Sequence, residues 1–248
     1  MCVKRNRYVR IILRVILVVL VLAGGLLGYL KSQTYNSMPE VAASMAAGNV
    51  RIEGRIVVFD PPGEPWASLV FYQGGLVETE AYAVLAQLLA AEGIRVFLPR
   101  MPLNLSILNG KVFDRIHKAY DHGEKWYIGG HSLGGATAAI YVARYHEQVS
   151  GLILLAAYPA ESSDLSDLAI PVLSITASDD GVMNRERFTS TKRLLPADTV
   201  FVEIEGGNHA NFGYYGSQKG DGPGAISRQV QHLLTANLIL DLIGEEGP

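Results

Sequence analysis

Short apolar segments of strand length alternate with longer segments of helical periodicity along most of the chain. The apolar runs occupy residues 55–60, 68–72, 94–99, 125–130, 151–157, 172–177 and 199–204, and the helical patterns occupy residues 78–93, 110–123, 133–148, 184–195 and 222–244. Several runs are apolar at successive positions, which is typical of parallel strands covered on both faces. This alternation predicts an α/β fold, a doubly wound and mostly parallel sheet flanked by helices.

The first thirty residues do not follow this alternation. In them, a basic flank precedes an uncharged apolar run. Val15–Leu30 carries no charge, and it follows Lys4, Arg5, Arg7, Arg10 and Arg14. As a helix this run spans about 24 Å, and adding residues 11–14 brings it to about 30 Å, the thickness of a hydrocarbon core. Arg14 would lie near enough to the interface for its guanidinium to reach the headgroups. The segment is therefore predicted to be a transmembrane signal anchor.

With this anchor, the chain is predicted to have three parts. They are a transmembrane helix at residues 1–31, a juxtamembrane spacer at residues 32–50 and a globular domain at residues 51–248. The basic flank predicts a cytoplasmic amino terminus and an extracytoplasmic domain. Signal cleavage at the small residues Ala23 and Gly25 would instead release a secreted protein, and this alternative stays open. A buried globular helix is disfavoured, because the segment has no polar face.

Charge and cysteine content argue against several kinds of function. The formal net charge is -3, and with no long basic face nucleic acid is not an expected partner. Cys2 is the only cysteine, which excludes an internal disulfide, a cysteine-built zinc site and a thiol nucleophile inside the fold. Four histidines in or beside predicted helices are expected at the surface or at caps: His117, His122, His146 and His232. No H-E-x-x-H pattern occurs, so neither a metal nor another cofactor is expected.

Residues 128–135, "IGGHSLGG", place one serine among four glycines directly after a predicted strand. Gly130, Ser132 and Gly134 match the pattern G-x-S-x-G at a strand-to-helix turn. A turn this sharp strains the serine backbone, and side chains two positions away on either side would collide with the strand and the helix. The pattern thus predicts an exposed serine hydroxyl beside the N–H groups of a helix amino terminus. A glycine-rich turn without chemistry is the plainer alternative.

Two further segments supply the partners that such a serine needs. The apolar run at residues 172–177 is followed by Asp179 and Asp180, and the run at residues 199–204 is followed by His209. The order serine, acid, histidine is that of an α/β-hydrolase triad. Because the carboxyl ends of parallel strands meet at one sheet edge, these side chains are expected to converge there.

Several stretches of residues 51–244 resemble the alpha/beta-hydrolase group, in the compact fold-five branch similar to carboxylesterases and dienelactone hydrolases. They are "FYQGGLVETEAYAVLAQLLAAEGIRVFLPR", "GGHSLGG", "LSITASDDGV", "IEGGNHANFGYYG" and "GDGPGAIS". The resemblance implies Ser132 as nucleophile, His209 as base and Asp180 as acid. Asp180 is preferred to Asp179 because the family places its acid before a glycine and an apolar residue. Residues 51–248 are then the catalytic domain.

An oxyanion hole in this family uses two backbone N–H groups. The resemblance implies Leu133, directly after the serine, as one donor and Gly75 as the other, with Leu76 the next candidate. Gln73 stands where relatives often carry histidine, which matters little for a main-chain donor. His131 is expected to be a packing or pocket-edge residue and not a second base. Asp221, which lies ahead of the last helical segment, is expected to cap or order a loop.

The expected function is hydrolysis of a carboxylic ester, on a small-molecule or lipid-like acyl substrate. The segment between residues 158 and 171 is too short for a cap domain, which predicts an open site with little or no lid and favours hydrolysis over acyl transfer. An amidase or acyltransferase using the same triad is the first alternative. A membrane-tethered binding protein that keeps the fold without turnover is the second. "NFGYYG", after His209, fits either a pocket wall or core packing.

Overall fold

The computed structural model describes residues 2–245. These residues belong to two compact units, and the boundary along the chain lies between Thr34 and Tyr35. The first unit is dominated by one helix, α1 (Cys2–Ser32). Its stretch Arg7–Ser32 is long and apolar enough to cross a bilayer, and none of that stretch is buried. The N-terminal apolar helix expected from the sequence is therefore confirmed as a candidate span, while insertion into a membrane stays a prediction.

An eight-stranded sheet forms the centre of the second unit. Its strands are β1 (Val50–Glu53), β2 (Ile56–Phe59), β3 (Ala67–Tyr72), β4 (Ile94–Pro99), β5 (Lys125–His131), β6 (Gly151–Leu155), β7 (Val172–Ala177) and β8 (Val200–Ile204). Their order is β1-β2-β4-β3-β5-β6-β7-β8. Only β2 runs antiparallel to its neighbours, β1 and β4, and the pairs from β4 to β8 are all parallel. The predicted doubly wound, mostly parallel sheet is confirmed.

Helices cover both faces of this sheet. They are α2 (Val41–Met45), α3 (Ala83–Ala91), α4 (Val112–Tyr120), α5 (Leu133–Val142), α6 (Arg185–Thr191) and α7 (Arg228–Glu245). Alternate residues of one strand enter different clusters: Leu69 packs with α3 and α7, and Val70 packs with α4 and α5. The sheet is therefore buried on both sides, which explains the continuous apolar runs of its central strands.

The segment before the sheet differs from the sequence-based expectation. Tyr35 forms a parallel β-bridge with Val77, and Val41 is buried in the core. The compact unit thus begins at Tyr35, not at residue 51, and residues 35–50 pack against it instead of standing apart as a spacer. Strand β1 was not expected either. It is a half-exposed edge strand of sequence "VRIE", which lacks an apolar run.

The connection between β6 and β7, residues 156–171, contains turns but no helix or strand. It agrees with the expected fold without a cap domain. The carboxyl ends of β5, β6, β7 and β8 are left at one open edge of the sheet, where the chain places its candidate chemistry.

Candidate active site

Ser132 lies at the sharp turn between β5 and α5 in a strained backbone conformation. Its φ is 53° and its ψ is -118°, a region that residues other than glycine seldom adopt. Its N–H donates to the Leu155 carbonyl, with N and O 2.9 Å apart, and ties the turn to the neighbouring strand β6. Strain of this kind persists only where the surroundings enforce it.

The glycines on either side make this turn possible through close backbone contact. A Cβ on Gly134 would lie 2.1 Å from the Tyr72 carbonyl oxygen, and one on Gly130 would lie 2.5 Å from the Gly134 carbonyl carbon. Both positions therefore exclude any side chain, for the reason expected from the sequence. The atoms that leave no room are all main-chain atoms, which belong to Tyr72, Gln73 and the first turn of α5.

Asp180 and His209 form a buried pair at the ends of β7 and β8. His209 Nδ1 lies 2.8 Å from Asp180 Oδ2, and the two side chains are 0% (Asp180) and 1% (His209) exposed. Asp180 Oδ1 accepts from the backbone N–H groups of Val182 and Met183, each at 2.8 Å. Burial raises the pKa of Asp180, but the hydrogen bond and charge of His209 and these two N–H groups together outweigh it and lower the pKa below its ordinary value.

Because an ionised Asp180 can only accept, His209 donates from Nδ1 and keeps Nε2 available as an acceptor. His209 Nε2 is buried and has no hydrogen-bond partner among the described residues, so the hydrogen bond to Ser132 that a triad uses is not formed here. Ser132 and His209 nevertheless line one cavity of about 310 Å³. Asp179 instead donates its N–H to the Gly207 carbonyl, and its carboxylate accepts from the Ser178 hydroxyl.

The turn after β3 leaves one N–H group uncommitted. Gly74 N–H donates to the Tyr82 hydroxyl at 2.9 Å, and Leu76 N–H donates to the Asn104 carbonyl at 2.8 Å. Gly75, between them, donates to no acceptor among the described residues. It lies against Leu133, because a Cβ on Gly75 would be 3.2 Å from Leu133 Cδ2. Leu133 itself begins α5, where N–H groups lack an intrahelical acceptor.

His131 is buried behind this turn and is bonded to Tyr82, whose bridging role was not anticipated from the sequence. The Tyr82 hydroxyl accepts from Gly74 N–H and therefore donates its own proton to His131 Nδ1, at 2.8 Å. Burial, followed by the charges of His209 and His232, holds the pKa of His131 well below its ordinary value. His131 thus remains neutral and packs against the His209 ring, with ring centroids 4.5 Å apart.

One histidine lies in an environment opposite to the expected one. His232, on α7, is 1% exposed rather than at the surface or at a cap, and its ring packs edge-on against Tyr214. Burial, with a smaller contribution from the charge of Arg228, lowers its pKa to about 3. The surface or cap position expected for His232 is therefore wrong. The apolar residues around it predict a helix, but their spacing does not show which polar side chains of that helix are buried. His117 and His146 are half-buried and His122 is exposed.

Small and apolar side chains line the rest of the cavity that holds Ser132 and His209. They are Leu133, Ala136, Ala156, Ala157, Val182 and Met183, joined by Tyr158 and Asn184. Ala156 adopts φ 46°, a second strained residue beside the serine turn. Phe212 and Tyr215, from "NFGYYG", are instead buried in the core on the α3 and α7 side, which identifies them as packing residues.

Comparison with known proteins identifies a family for this chain. Residues 68–233, about two thirds of the chain, match the model of a family described as the alpha/beta hydrolase family. A search of the curated proteins finds no match.

Among solved structures, the chain resembles a dienelactone hydrolase from Anabaena variabilis at 16% identity and a TM-score of 0.57, covering 75% of this chain and 91% of that one. It also resembles Est1E from Butyrivibrio proteoclasticus, solved with ferulic acid, at 13% identity and a TM-score of 0.59, covering 81% and 98%. The thioesterase domain of the curacin biosynthetic pathway matches at 14% identity and a TM-score of 0.56, covering 77% and 98%. At these identities the likeness shows a shared fold.

Proposed function

This chain belongs to the alpha/beta hydrolase family, and on that premise we propose that it is a serine hydrolase that cleaves carboxylic ester bonds. The proposal depends above all on one observation. The buried pair His209 and Asp180 lies beside the same cavity as Ser132, whose strained backbone lifts its hydroxyl off the turn. Nucleophile, base and orienting carboxylate thus come from three strand ends of one sheet edge.

In the proposed mechanism, the Ser132 hydroxyl attacks the ester carbonyl while His209 Nε2 takes its proton. The unpartnered Nε2 of His209 supports this role, because nothing else in the described residues competes for its lone pair. Asp180 keeps the imidazole proton on Nδ1 and stabilises the imidazolium that forms. His209 then protonates the leaving alcohol, and water attacks the acyl-enzyme by the same route to release the acid.

The proposed oxyanion donors are the backbone N–H groups of Leu133 and Gly75. Both belong to turns that adjoin the serine, and neither has an acceptor within the described residues. Removing one donor of this type has cost about 3–4 kcal/mol of transition-state stabilisation in other hydrolases. Main-chain donors also explain why Gln73 can replace the histidine of relatives, since its side chain is not required for this role.

The proposed substrate carries a short acyl group. A cavity of about 310 Å³ is at the small end of the range of about 300–1,000 Å³ for ligand sites. Three alanines, Ala136, Ala156 and Ala157, give it an apolar lining. The connection at residues 156–171 has no helix to close over it, so water has access, which favours hydrolysis over acyl transfer.

The test is labelling of the full-length protein in detergent with a fluorophosphonate, which reacts covalently with an activated serine. The wild type and Ser162→Ala, which alters an exposed serine, are expected to label equally, and Ser132→Ala is expected not to label. A panel of nitrophenyl esters should then give the highest kcat/KM with acetate or butyrate and the lowest with dodecanoate. Labelling of Ser132→Ala, or no labelling of any variant, contradicts the proposal and favours a non-catalytic binding protein.

The proposed location is the extracytoplasmic face of a membrane, with α1 as an uncleaved anchor. Five basic residues precede the apolar run and support this orientation. Because Cys2 is the only native cysteine, Ser162→Cys creates one reporter thiol on the globular unit. A membrane-impermeant maleimide applied to intact cells is expected to label this introduced thiol and to spare Cys2 until the cells are permeabilised. The opposite pattern contradicts this orientation, and loss of Cys2 from the mature protein shows signal cleavage.

A further inference from the structure

Asp221 has a carboxylate that accepts hydrogen bonds from four backbone N–H groups. Its Oδ2 accepts from Ala210 at 2.7 Å. Its Oδ1 accepts from Gly222 at 2.9 Å and from Gly181 and His209 at 3.2 Å each. These donors belong to three separate segments, namely the loop after β7, the loop after β8 and the segment that holds Asp221. One side chain therefore joins the two loops that carry Asp180 and His209.

The backbone around Asp221 is packed directly against the loop that carries Asp180. A Cβ on Gly181 would lie 2.3 Å from the Gly220 carbonyl oxygen, and one on Gly222 would lie 2.1 Å from the Asp179 carbonyl oxygen. On the other side, Asn208 Nδ2 donates to the Gly222 carbonyl at 2.7 Å. Residues 220–222 thus form a wedge between the two loops, and the carboxylate of Asp221 lies at its centre.

We propose that Asp221 is a positioning residue, which sets the distance and orientation between Asp180 and His209 through the backbones of their loops. The proposal rests on the proposed serine hydrolase function. Asp221 lines a separate polar cavity with Asn208, Asn211 and Arg228, outside the one that holds Ser132. It therefore has no contact with substrate. Its effect reaches the reaction only through the imidazole of His209, which must be held closely to the productive geometry.

The chemistry of the carboxylate explains why an amide could not replace it. An ionised carboxylate offers two acceptor oxygens and no donor, so all four N–H groups can bond to it, three at Oδ1 and one at Oδ2. An asparagine has one acceptor oxygen, and its NH₂ group would face at least one backbone N–H. Hydrogen bonds to a charged acceptor are also roughly twice as strong as neutral ones. Asp221→Asn should thus lose at least the bond from Ala210 N–H and weaken the bonds from Gly181 and His209, while changing almost no volume.

The test compares the full-length wild type with Asp221→Asn and with Asp164→Asn. Asp164 also accepts a backbone N–H, from Ser166, but lies in the exposed connection after β6. For Asp221→Asn we expect kcat to fall about 10-fold to 100-fold with KM almost unchanged, because the acyl cavity is untouched. The far-downfield proton resonance of His209 Nδ1–H should broaden or disappear in the same variant. Asp164→Asn should keep both properties.

Thermal denaturation of each variant separates loss of folding from loss of positioning. If Asp221→Asn does not fold, Asp221→Glu takes its place, since it keeps the charge and both acceptors but displaces them by one methylene; the same fall in kcat and change in the resonance are expected. A folded variant that keeps wild-type kcat and the His209 resonance, or one that loses activity only through KM, overturns the proposal. Failure of the wild type to react with fluorophosphonate would instead count against the serine hydrolase function itself.

Discussion

At the turn between β5 and α5, backbone atoms approach so closely that Gly134 has no room for a side chain, whereas the loops after β7 and β8 are joined by side chains. Asp221 spans those loops, and the Gln231 amide accepts from Asn208 N–H at 3.0 Å and donates to its carbonyl at 2.8 Å. The serine half of the site therefore depends mainly on volume, whereas the acid and histidine half depends on charge and hydrogen bonding in addition to close packing at Gly181 and Gly222. The two halves should fail under different perturbations.

The largest expected effect is a loss of activity when charge is removed from the acid and histidine half. Asp180→Asn would leave the backbone in place but would favour the wrong tautomer of His209, and kcat should fall about 10⁴-fold while the protein stays folded. Steady-state kinetics with circular dichroism measures both properties. Asp179→Asn, one position away, is the matched control and should keep near-wild-type activity. An equal loss in Asp179→Asn would mean that the wrong carboxylate has been assigned.

The next largest expected effect is a loss of stability when volume is added to the serine half. Gly134→Ala places a Cβ 2.1 Å from the Tyr72 carbonyl oxygen, and since backbone has to move, the free energy of unfolding should fall by about 3 kcal/mol or more. Gly63→Ala, in open space, should change it by less than about 0.5 kcal/mol. Urea unfolding measures both. Similar stability of the two variants would show that the close approach does not constrain the turn.

A smaller effect is expected from removing the Tyr82 hydroxyl, which supports the serine half through Gly74 and His131. Tyr82→Phe leaves Gly74 N–H and His131 Nδ1 buried without their partner, which should cost about 2 kcal/mol of stability. Tyr35→Phe removes a hydroxyl that accepts one long bond at the surface, from Lys219 N–H at 3.4 Å, and should cost much less. Equal losses would show that the bridge between the turn and His131 contributes nothing particular.

The smallest effect at neutral pH, which grows as the solution is acidified, concerns His232 on the side of α7. The pKa of His232 is about 3 in the folded protein and about 6.5 when unfolded, so the unfolded state binds more protons below pH 6.5. The free energy of unfolding should therefore decrease as the pH is lowered from about 6.5 to about 3, by at most about 1.4 kcal/mol per pH unit for this residue. His232→Leu should reduce the slope by that amount in urea unfolding at about pH 4–7. An unchanged slope would contradict neutral burial of His232.

The parts of this molecule that could be predicted from its sequence are those determined by neighbours in the chain. All seven expected strands are present, because continuous apolar runs are a local signal, and the strained turn at Ser132 is signalled by the glycines beside it. The bond from Tyr82 to His131, the burial of His232 and the bonds of Asp221 to Gly181, His209 and Ala210 depend on residues that are not neighbours in sequence. No periodicity records such contacts. The roles of Ser132, Asp180 and His209 in turnover stay predictions until labelling tests them.

The turn after β3 has a consequence for how a substrate would be received. The amide of Gly75 is flanked by two committed ones, since Gly74 donates to Tyr82 and Leu76 donates to Asn104. The Gly74 carbonyl, which shares a peptide plane with this amide, accepts from Val77 N–H at 3.2 Å, so rotating the Gly75 N–H away would break that bond. The orientation of this amide is thus fixed before any ligand arrives, so an incoming carbonyl would meet a field already aligned and would spend none of its affinity on reorganising it.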